Sequence, residues 1–336
     1  MNVSKANILI GTIVTLAIAG AVIAVLRNHT KDNADSGLSE AFVYDLKSLR
    51  TTDPKLIQYE EVDQVQTEFQ NVFGIAVDLN DHVYVAGDRS IRVFNKDGNR
   101  LSEFSLTDFP RCVGVADDGR IYVGMKEHVA VYDAQGVRTA RWKSVGENAL
   151  LTAIAVSGGD VFVADARNRV ILHYTDSGEF VNLIGKKDES RNIPGLVVPS
   201  PYFDLAVAPD GLLRVANPGR HRVEAYTFDG YLELWWGKVS MGIEGFAGCG
   251  NPVNFALLPD SKYVTCEKGL PRVKIYDVDG TFVGVVAGAE HFPTYTYDGF
   301  SSDQTGELDV AVDSDGRVLV LDAVERTVRI FTKIQE

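Results

Sequence analysis

Three oxygen-bearing side chains lie at equivalent places in the sequence, each directly before a short apolar triplet. Asp204 precedes Leu-Ala-Val, Asn254 precedes Phe-Ala-Leu and Asp309 precedes Val-Ala-Val. Carboxylate and amide oxygens are the ligands that Ca²⁺ and Mg²⁺ prefer, and they suit transition metals less well. The sequence therefore predicts a ligand or metal site at these residues. A structural alternative is open, because such residues also accept hydrogen bonds from backbone N–H groups, and we favour it for the two aspartates.

Other candidate ligand-binding side chains lie in polar loops and in three connections that are longer than most protein loops. Loops that follow apolar runs carry Arg167, Arg220, His221 and Lys268. The long connections span 185–203, 237–253 and 288–308, and they contain Cys249, His291, Tyr295 and Tyr297. Because loops of more than about 12–15 residues are uncommon unless functional, we expect them to form a binding surface. Packing of these aromatic side chains onto the domain is the alternative interpretation.

Few residues suggest catalysis. No Ser/His/Asp constellation, nucleophile elbow or phosphate-binding loop is visible. The positions before the six apolar triplets contain no histidine, so a three-histidine zinc site is not supported. These positions are Gly74, Cys112, Ala153, Asp204, Asn254 and Asp309.

The elements that position these residues form a repeat. Apolar triplets begin at Ile75, Val113, Ile154, Leu205, Phe255 and Val310. Each is followed by a turn, a second apolar strand, a polar loop and a third strand, and the first five copies add a turn and a fourth strand. A repeat of about 40–55 residues with four strands predicts a β-propeller. We expect an all-β domain of six blades over residues 56–333.

The sixth copy ends without a fourth strand. Leu56–Glu61, just before the first copy, has the length and alternation of a strand. We predict that it completes the last blade, because closing the ring leaves only short, protected strand edges.

Three copies resemble the NHL repeat: residues 154–174, 205–226 and 310–331. The resemblance implies a six-bladed propeller. It implies little about function, because NHL propellers include protein- and RNA-binding platforms, extracellular sensors and a peptide-amidating zinc lyase. Similar six-bladed lactonases hold an ion at the channel mouth. Asp204, Asn254 and Asp309 match half of such a site, whereas the other three positions supply no ligand.

The N-terminus contains an apolar run without charge, Ile8–Leu26, after a short tail of residues 1–7. As a helix it would span roughly 28 Å, about the thickness of the hydrocarbon core. A cleaved signal peptide and a retained transmembrane anchor are both open. We favour the anchor, with 27–55 as a polar linker and the propeller on the periplasmic or cell-surface side.

Composition limits the partners. The net charge of −13 argues against nucleic acid as a partner, since a nucleic-acid binder needs a basic surface. The three cysteines form no disulfide framework, although one disulfide with a free thiol is open.

The sequence thus predicts a membrane-anchored propeller that binds a protein, a peptide or a small ligand. A metal-assisted lyase or hydrolase and a scaffold subunit of a membrane complex are the alternatives.

Overall fold

The computed structural model describes residues 49–294 and 308–335, which form six antiparallel sheets of four strands. Each sheet is one blade, and in blades 1 to 5 its four strands follow each other along the chain. The fold is therefore the predicted all-β six-bladed propeller.

The strands of the first three blades are β2 (Val72–Val77), β3 (Val83–Gly87), β4 (Ser90–Phe94) and β5 (Arg100–Ser105); β6 (Cys112–Val115), β7 (Ile121–Gly124), β8 (Val129–Tyr132) and β9 (Arg138–Arg141); and β10 (Leu151–Ser157), β11 (Asp160–Asp165), β12 (Val170–Thr175) and β13 (Phe180–Ile184). Those of the last three are β14 (Leu205–Val207), β15 (Leu213–Asn217), β16 (Arg222–Tyr226) and β17 (Leu232–Trp236); β18 (Asn254–Leu257), β19 (Tyr263–Glu267), β20 (Arg272–Tyr276) and β21 (Phe282–Ala287); and β22 (Leu308–Val312), β23 (Val318–Asp322), β24 (Thr327–Lys333) and β1 (Tyr59–Gln66). Short 3-10 helices cover Pro54–Leu56, Pro218–Arg220 and Ala289–His291.

Blade 6 is completed by the N-terminal strand β1, which pairs with β24. The closing strand is Tyr59–Gln66, later than the predicted Leu56–Glu61. The first part of the predicted segment is used differently, because Ile57 forms a parallel bridge with Val285 of blade 5 and the Gln58 N–H donates to the Val285 carbonyl at 2.9 Å.

The ring is closed by packing of apolar side chains between blades as well as by the pairing of β1 with β24. Each of six buried apolar clusters joins two neighbouring blades. The cluster between the first and last blades contains Ile75 and Val85 on one side and Leu319 and Ile330 on the other. Burying such side chains stabilises the fold by about 1.5–3 kcal/mol each.

The turns between third and fourth strands lie against the preceding blade. Gly178 and Gly280 have φ of +89° and +83°, a region that favours glycine. A Cβ on either would come within 2.5 Å of an indole ring, Trp142 or Trp236. Glycine is therefore required for both the turn and the contact.

No helix among residues 49–294 and 308–335 is long and apolar enough to cross a membrane. The predicted span Ile8–Leu26 lies outside the described residues, as do Tyr295 and Tyr297.

Candidate functional site

A cavity of about 870 Å³ opens at the centre of the ring. Residues of all six first strands line it. Its mouth lies on the face that carries the starts of the first strands and the three long connections, which we call the loop face. The opposite face, formed by the turns between first and second strands, is the turn face. Asp204, Asn254 and Asp309 all line the cavity, so the structure brings together the three oxygen-bearing residues that the sequence singled out.

These three side chains connect neighbouring blades. Asp204 of blade 4 accepts a hydrogen bond from the Phe255 N–H of blade 5 at 2.8 Å. Asn254 of blade 5 donates to the Leu308 carbonyl of blade 6 at 2.9 Å. Asp309 of blade 6 accepts from the Ile75 N–H of blade 1 at 3.1 Å. The second oxygen of each aspartate accepts the N–H of the next residue at 2.8 Å. The geometry agrees with the structural role favoured for the two aspartates.

The two carboxyl groups have raised pKa values. Burial, and then the charge of Asp309, raise the pKa of Asp204 from 3.8 to about 8. Burial raises the pKa of Asp309 to about 6, against the lowering effect of its two backbone hydrogen bonds. Near neutral pH the pair therefore tends to keep one proton, and a bound cation would compete with that proton.

The other half of the channel offers little to a metal ion. A Cβ on Gly74 would lie 3.3 Å from the Cα of Cys112, so the backbones of blades 1 and 2 are nearly in contact. Thr152 uses its hydroxyl to donate to the Phe203 carbonyl at 2.7 Å. Within the described ranges no group of three His, Cys, Asp or Glu residues could hold a metal ion. Asp204, Asn254 and Asp309 could thus supply oxygen ligands from one side only.

The other predicted site residues that the structure describes do not line the cavity. The His221 ring nitrogen Nε2 lies 2.6 Å from the Gly248 carbonyl. Arg220 donates to the Pro194 carbonyl at 3.4 Å, and Lys268 lies over the Tyr202 ring with its Nζ 5.6 Å from the centroid. Arg167 is exposed in the loop between β11 and β12.

Two more predicted residues lie in the long connections. Cys249 is exposed, Cys112 and Cys266 are buried, and none of the three forms a disulfide. The His291 ring meets Phe331 edge-on, with the ring centroids 6.2 Å apart. Its contact is therefore with blade 6.

Buried polar clusters hold two of the long connections. Glu267, which is 1% exposed, accepts the Ala247 N–H at 2.7 Å and pairs with Arg272 and Lys274. The Lys274 ammonium, fully buried, also donates to the Ile243 and Gly245 carbonyls at 3.1 and 2.5 Å. Burial lowers the pKa of Lys274 to about 8. These bonds fix the connection 237–253.

The connection 185–203 is held by an equivalent cluster in blade 4. The Asn217 amide oxygen accepts the Val197 N–H at 3.0 Å, and its amide nitrogen donates to Glu224 at 2.9 Å. Glu224, fully buried, also accepts from the Tyr226 hydroxyl at 2.6 Å and pairs with Arg222. Burial and then Glu224 raise the pKa of Tyr226.

The rim of the mouth contains residues that the sequence analysis missed. Arg111 lies over the Phe73 ring at 5.5 Å, and Phe73 packs edge-on against Phe109 at 6.5 Å. The Arg89 guanidinium lies over the Phe109 ring, 4.8 Å from its centroid. Tyr202 lines the same cavity. Phe109 and Arg111 in the short connection 106–111 are a signal for this rim that loop length does not reveal.

Comparison with known proteins shows the fold. No protein-family model and no curated protein matches the chain. Virginiamycin B lyase from Staphylococcus aureus is similar in structure, with a TM-score of 0.56 and 12% identity over 82% of this chain and 100% of the lyase. A Bacteroides thetaiotaomicron protein of unknown function has a TM-score of 0.58 and 16% identity, covering 82% and 75%. The WD40 β-propeller domain of Doa1 has a TM-score of 0.55 and 14% identity, covering 82% and 98%. At such identities the similarity establishes a β-propeller and nothing about activity.

Proposed function

We propose that the chain is a binding module of the NHL type, and that its loop face captures a protein or peptide partner. The observation that carries this proposal is the fixing of two long connections by fully buried charges. Placing charges in a protein interior is costly, and a hydrophobic cluster would stabilise the fold as well. A surface that is fixed in advance binds with a smaller loss of conformational entropy.

The rim of the mouth supports the same proposal. Aromatic residues and arginine dominate the energetics of protein interfaces. Phe73 and Arg111 line the cavity, Phe109 packs edge-on against Phe73, and Arg111 lies over the Phe73 ring, so few rotamers are lost on binding. Neither Arg89 nor Arg111 has a carboxylate within ion-pair distance among the described residues. Their charges are available to an acidic group of a partner.

The turn face supports the proposal that nucleic acid is not the partner. Its turns carry aspartates that accept backbone N–H groups, including Asp118, Asp210, Asp260 and Asp313. The basic side chains beside them are neutralised, as in the Arg214–Asp210 and Arg317–Asp313 pairs. An acidic face of this kind repels phosphate backbones.

Anchoring completes the proposal. Residues 8–26 would span the membrane, 27–55 would act as a linker, and the propeller would lie outside the cytoplasm. The partner is then a membrane-associated or extracytoplasmic protein.

An enzyme is the second candidate, and one observation favours it. Asp204 and Asp309 both line the channel cavity with raised pKa values, and Ca²⁺ or Mg²⁺ could replace the proton that the pair retains. Such an ion would supply Lewis-acid assistance to a lyase or hydrolase, while the two aspartates and Asn254 would hold and orient it. The one-sided donor set makes this the weaker proposal.

The binding proposal is tested by affinity capture of the full chain from solubilised membranes. A Phe73→Ala/Arg111→Ala variant should lose the captured partner, because it removes both stacked groups at the mouth. The matched control, Leu79→Ala/Lys96→Ala, changes exposed residues on the turn face and should retain capture. Equal recovery with both variants would exclude the mouth as the binding site.

A further inference from the structure

The outer edges of the blades are protected in different ways. The fourth strand of each blade has one unpaired side, and such an edge is a template for pairing with another strand. β5 and β9 carry charges, including Arg100, Glu103, Arg138 and Arg141. β1, the edge of blade 6, carries Glu60, Glu61 and Asp63. The chain itself covers β21 of blade 5, through Ile57 and Gln58.

The edge of blade 4 pairs with no other segment among the described residues and carries one charged side chain, Glu233. β17 reads Leu-Glu-Leu-Trp-Trp, with Leu234 43% exposed and Trp235 54% exposed, and Tyr231 before it is 51% exposed. The edge of blade 3 is also apolar, and in both blades the turn of the following blade lies against the end of the edge strand, through Gly230 beside Ile184 and Gly280 beside Trp236. The edge of blade 4 differs in presenting two exposed aromatic side chains, each beneath an arginine.

The aromatic side chains of this edge are held rigidly. The Arg191 guanidinium lies 3.8 Å from the centroid of Tyr231, and that of Arg222 lies 4.5 Å from the centroid of Trp235. Arg222 is itself fixed by Glu224 at 2.6 Å. Rigid tyrosine, tryptophan and arginine residues are typical of the energetic centre of an interface.

We propose that β17 pairs with β17 of a second copy of this chain, in an antiparallel arrangement about a two-fold axis at Leu234. This register places Leu234 opposite itself and Glu233 opposite the tryptophan at position 235 of the second copy. No like charges face each other. The two blades would join into one continuous sheet, and the stacked Tyr231 and Trp235 of both copies would lose water.

Charge also favours a second copy at this place. The chain carries a net charge of −13, which opposes self-association over most of its surface. At β17, Arg191 and Arg222 offset Glu224 and Glu233, so this edge adds little repulsion between two copies. Two aromatic side chains about half exposed correspond to roughly 75–125 Å² each, or about 300–500 Å² over both copies, which is the area of a weak interface.

The register is tested by cysteine cross-linking of the full chain, purified in mild detergent because of its apolar residues 8–26. Cys249 is replaced by serine, since it is the exposed native cysteine and Cys112 and Cys266 are buried. Leu234→Cys should form a disulfide-linked dimer on mild oxidation. Leu101→Cys, at a 52% exposed leucine on the edge of blade 1, should stay monomeric. Equal cross-linking at both positions, or none at Leu234, would overturn the proposal.

The strength of the proposed dimer is tested by sedimentation velocity, which measures its dissociation constant at chain concentrations of about 1–100 µM. Leu234→Glu places two glutamates face to face and removes buried leucine, so the dissociation constant should rise at least about a hundredfold. Leu101→Glu makes the same change on the charged edge of blade 1 and should leave the dissociation constant unaltered. A monomeric wild-type chain, or a dimer insensitive to Leu234→Glu, would contradict pairing through β17.

Discussion

Replacing Asp204 with asparagine separates the hydrogen bonding of this side chain from its ionisation. The carboxyl group accepts the Phe255 and Leu205 N–H groups, both at 2.8 Å. An asparagine has one acceptor oxygen, so one bond is lost, at a cost of about 1 kcal/mol. The same change removes a group whose pKa rises on folding.

The pH dependence follows from the direction of the shift. The pKa of Asp204 is raised to about 8 and that of Asp309 to about 6, so the folded chain binds more protons than the unfolded chain. Stability is then highest at low pH and falls as pH rises through the folded pKa values. Between pH 6 and 8 about one excess proton is involved, at 1.4 kcal/mol per pH unit, so the pair loses about 2–3 kcal/mol of stability.

The two effects have opposite signs, and the ionisation effect begins at the unfolded pKa of 3.8. Below about pH 4, Asp204→Asn should be less stable than the wild-type chain by about 1 kcal/mol, because a hydrogen bond is missing. Above pH 4 the wild-type chain loses about 1.4 kcal/mol per pH unit, so at pH 8 the variant should be more stable by several kcal/mol, because it avoids the buried ionisation. The difference should change sign at about pH 4.5.

Urea unfolding from about pH 3.5 to 8.5, followed by tryptophan fluorescence, measures this difference across the whole range between the unfolded and folded pKa values of Asp204. Other shifted groups act in both proteins and cancel, including His128, whose pKa is lowered by burial. Asp165→Asn is the matched control, since this buried aspartate also accepts backbone N–H groups but lies outside the cavity lining. It should destabilise at every pH. A constant difference for Asp204→Asn would refute the coupling of the channel carboxyl groups to stability.

Three further predictions concern the loops, the ring and the ion. Lys274→Met leaves the Ile243 and Gly245 carbonyls without their donor. The variant should lose about 3–5 kcal/mol of folding stability, and amide hydrogen exchange in 243–247, measured by mass spectrometry, should become faster. Val65→Pro removes a backbone donor from β1, which pairs with β24, and should lower the unfolding midpoint by about 5–10 °C in a thermal melt; an unchanged midpoint would mean that β1 does not hold the ring closed. If Asp204, Asn254 and Asp309 hold Ca²⁺ or Mg²⁺ with a dissociation constant near 100 µM, 10 mM of the ion should stabilise the chain by about 2.7 kcal/mol and Asp309→Asn should abolish the gain; no stabilisation would exclude the ion at that affinity.

The repeat made the fold predictable from sequence. Six apolar triplets with turn residues at fixed offsets specify four-stranded blades, because the alternation of a half-buried strand is local information. The closing strand begins at Tyr59, three residues after the predicted start at Leu56, and the reason is non-local. Alternation fits both 56–61 and 59–66, and contact of Ile57 and Gln58 with blade 5 decides between them.

The candidate site was predictable only in part. Equivalence in the repeat placed Asp204, Asn254 and Asp309 together, and the cavity lining contains all three. Loop length located only part of the cavity rim, the segment at Tyr202 in the connection 185–203. Phe73 and Arg111 belong to short segments, and they meet through packing between blades that no local pattern encodes.

The end of the second strand shows how one repeat position acquires different uses. Blades 1 and 2 have Gly87 and Gly124 there, and the connections beside these residues are short. Blades 3 to 6 have Asp165, Asn217, Glu267 and Asp322, all buried. In blades 3, 4 and 5 this side chain accepts a backbone N–H from the preceding connection, namely from Leu150, Val197 and Ala247.

The partners of this side chain differ between short and long connections. Aspartate alone serves the short connection before blade 3. Asparagine and glutamate, each with a cluster of charged or tyrosine partners, serve the long connections before blades 4 and 5. A connection that only joins two strands needs no buried cluster. The polar residue at this position thus marks connections that are bonded to the blade behind them, as in blades 3, 4 and 5, and the buried ionic clusters of blades 4 and 5 add further bonds to the two long ones.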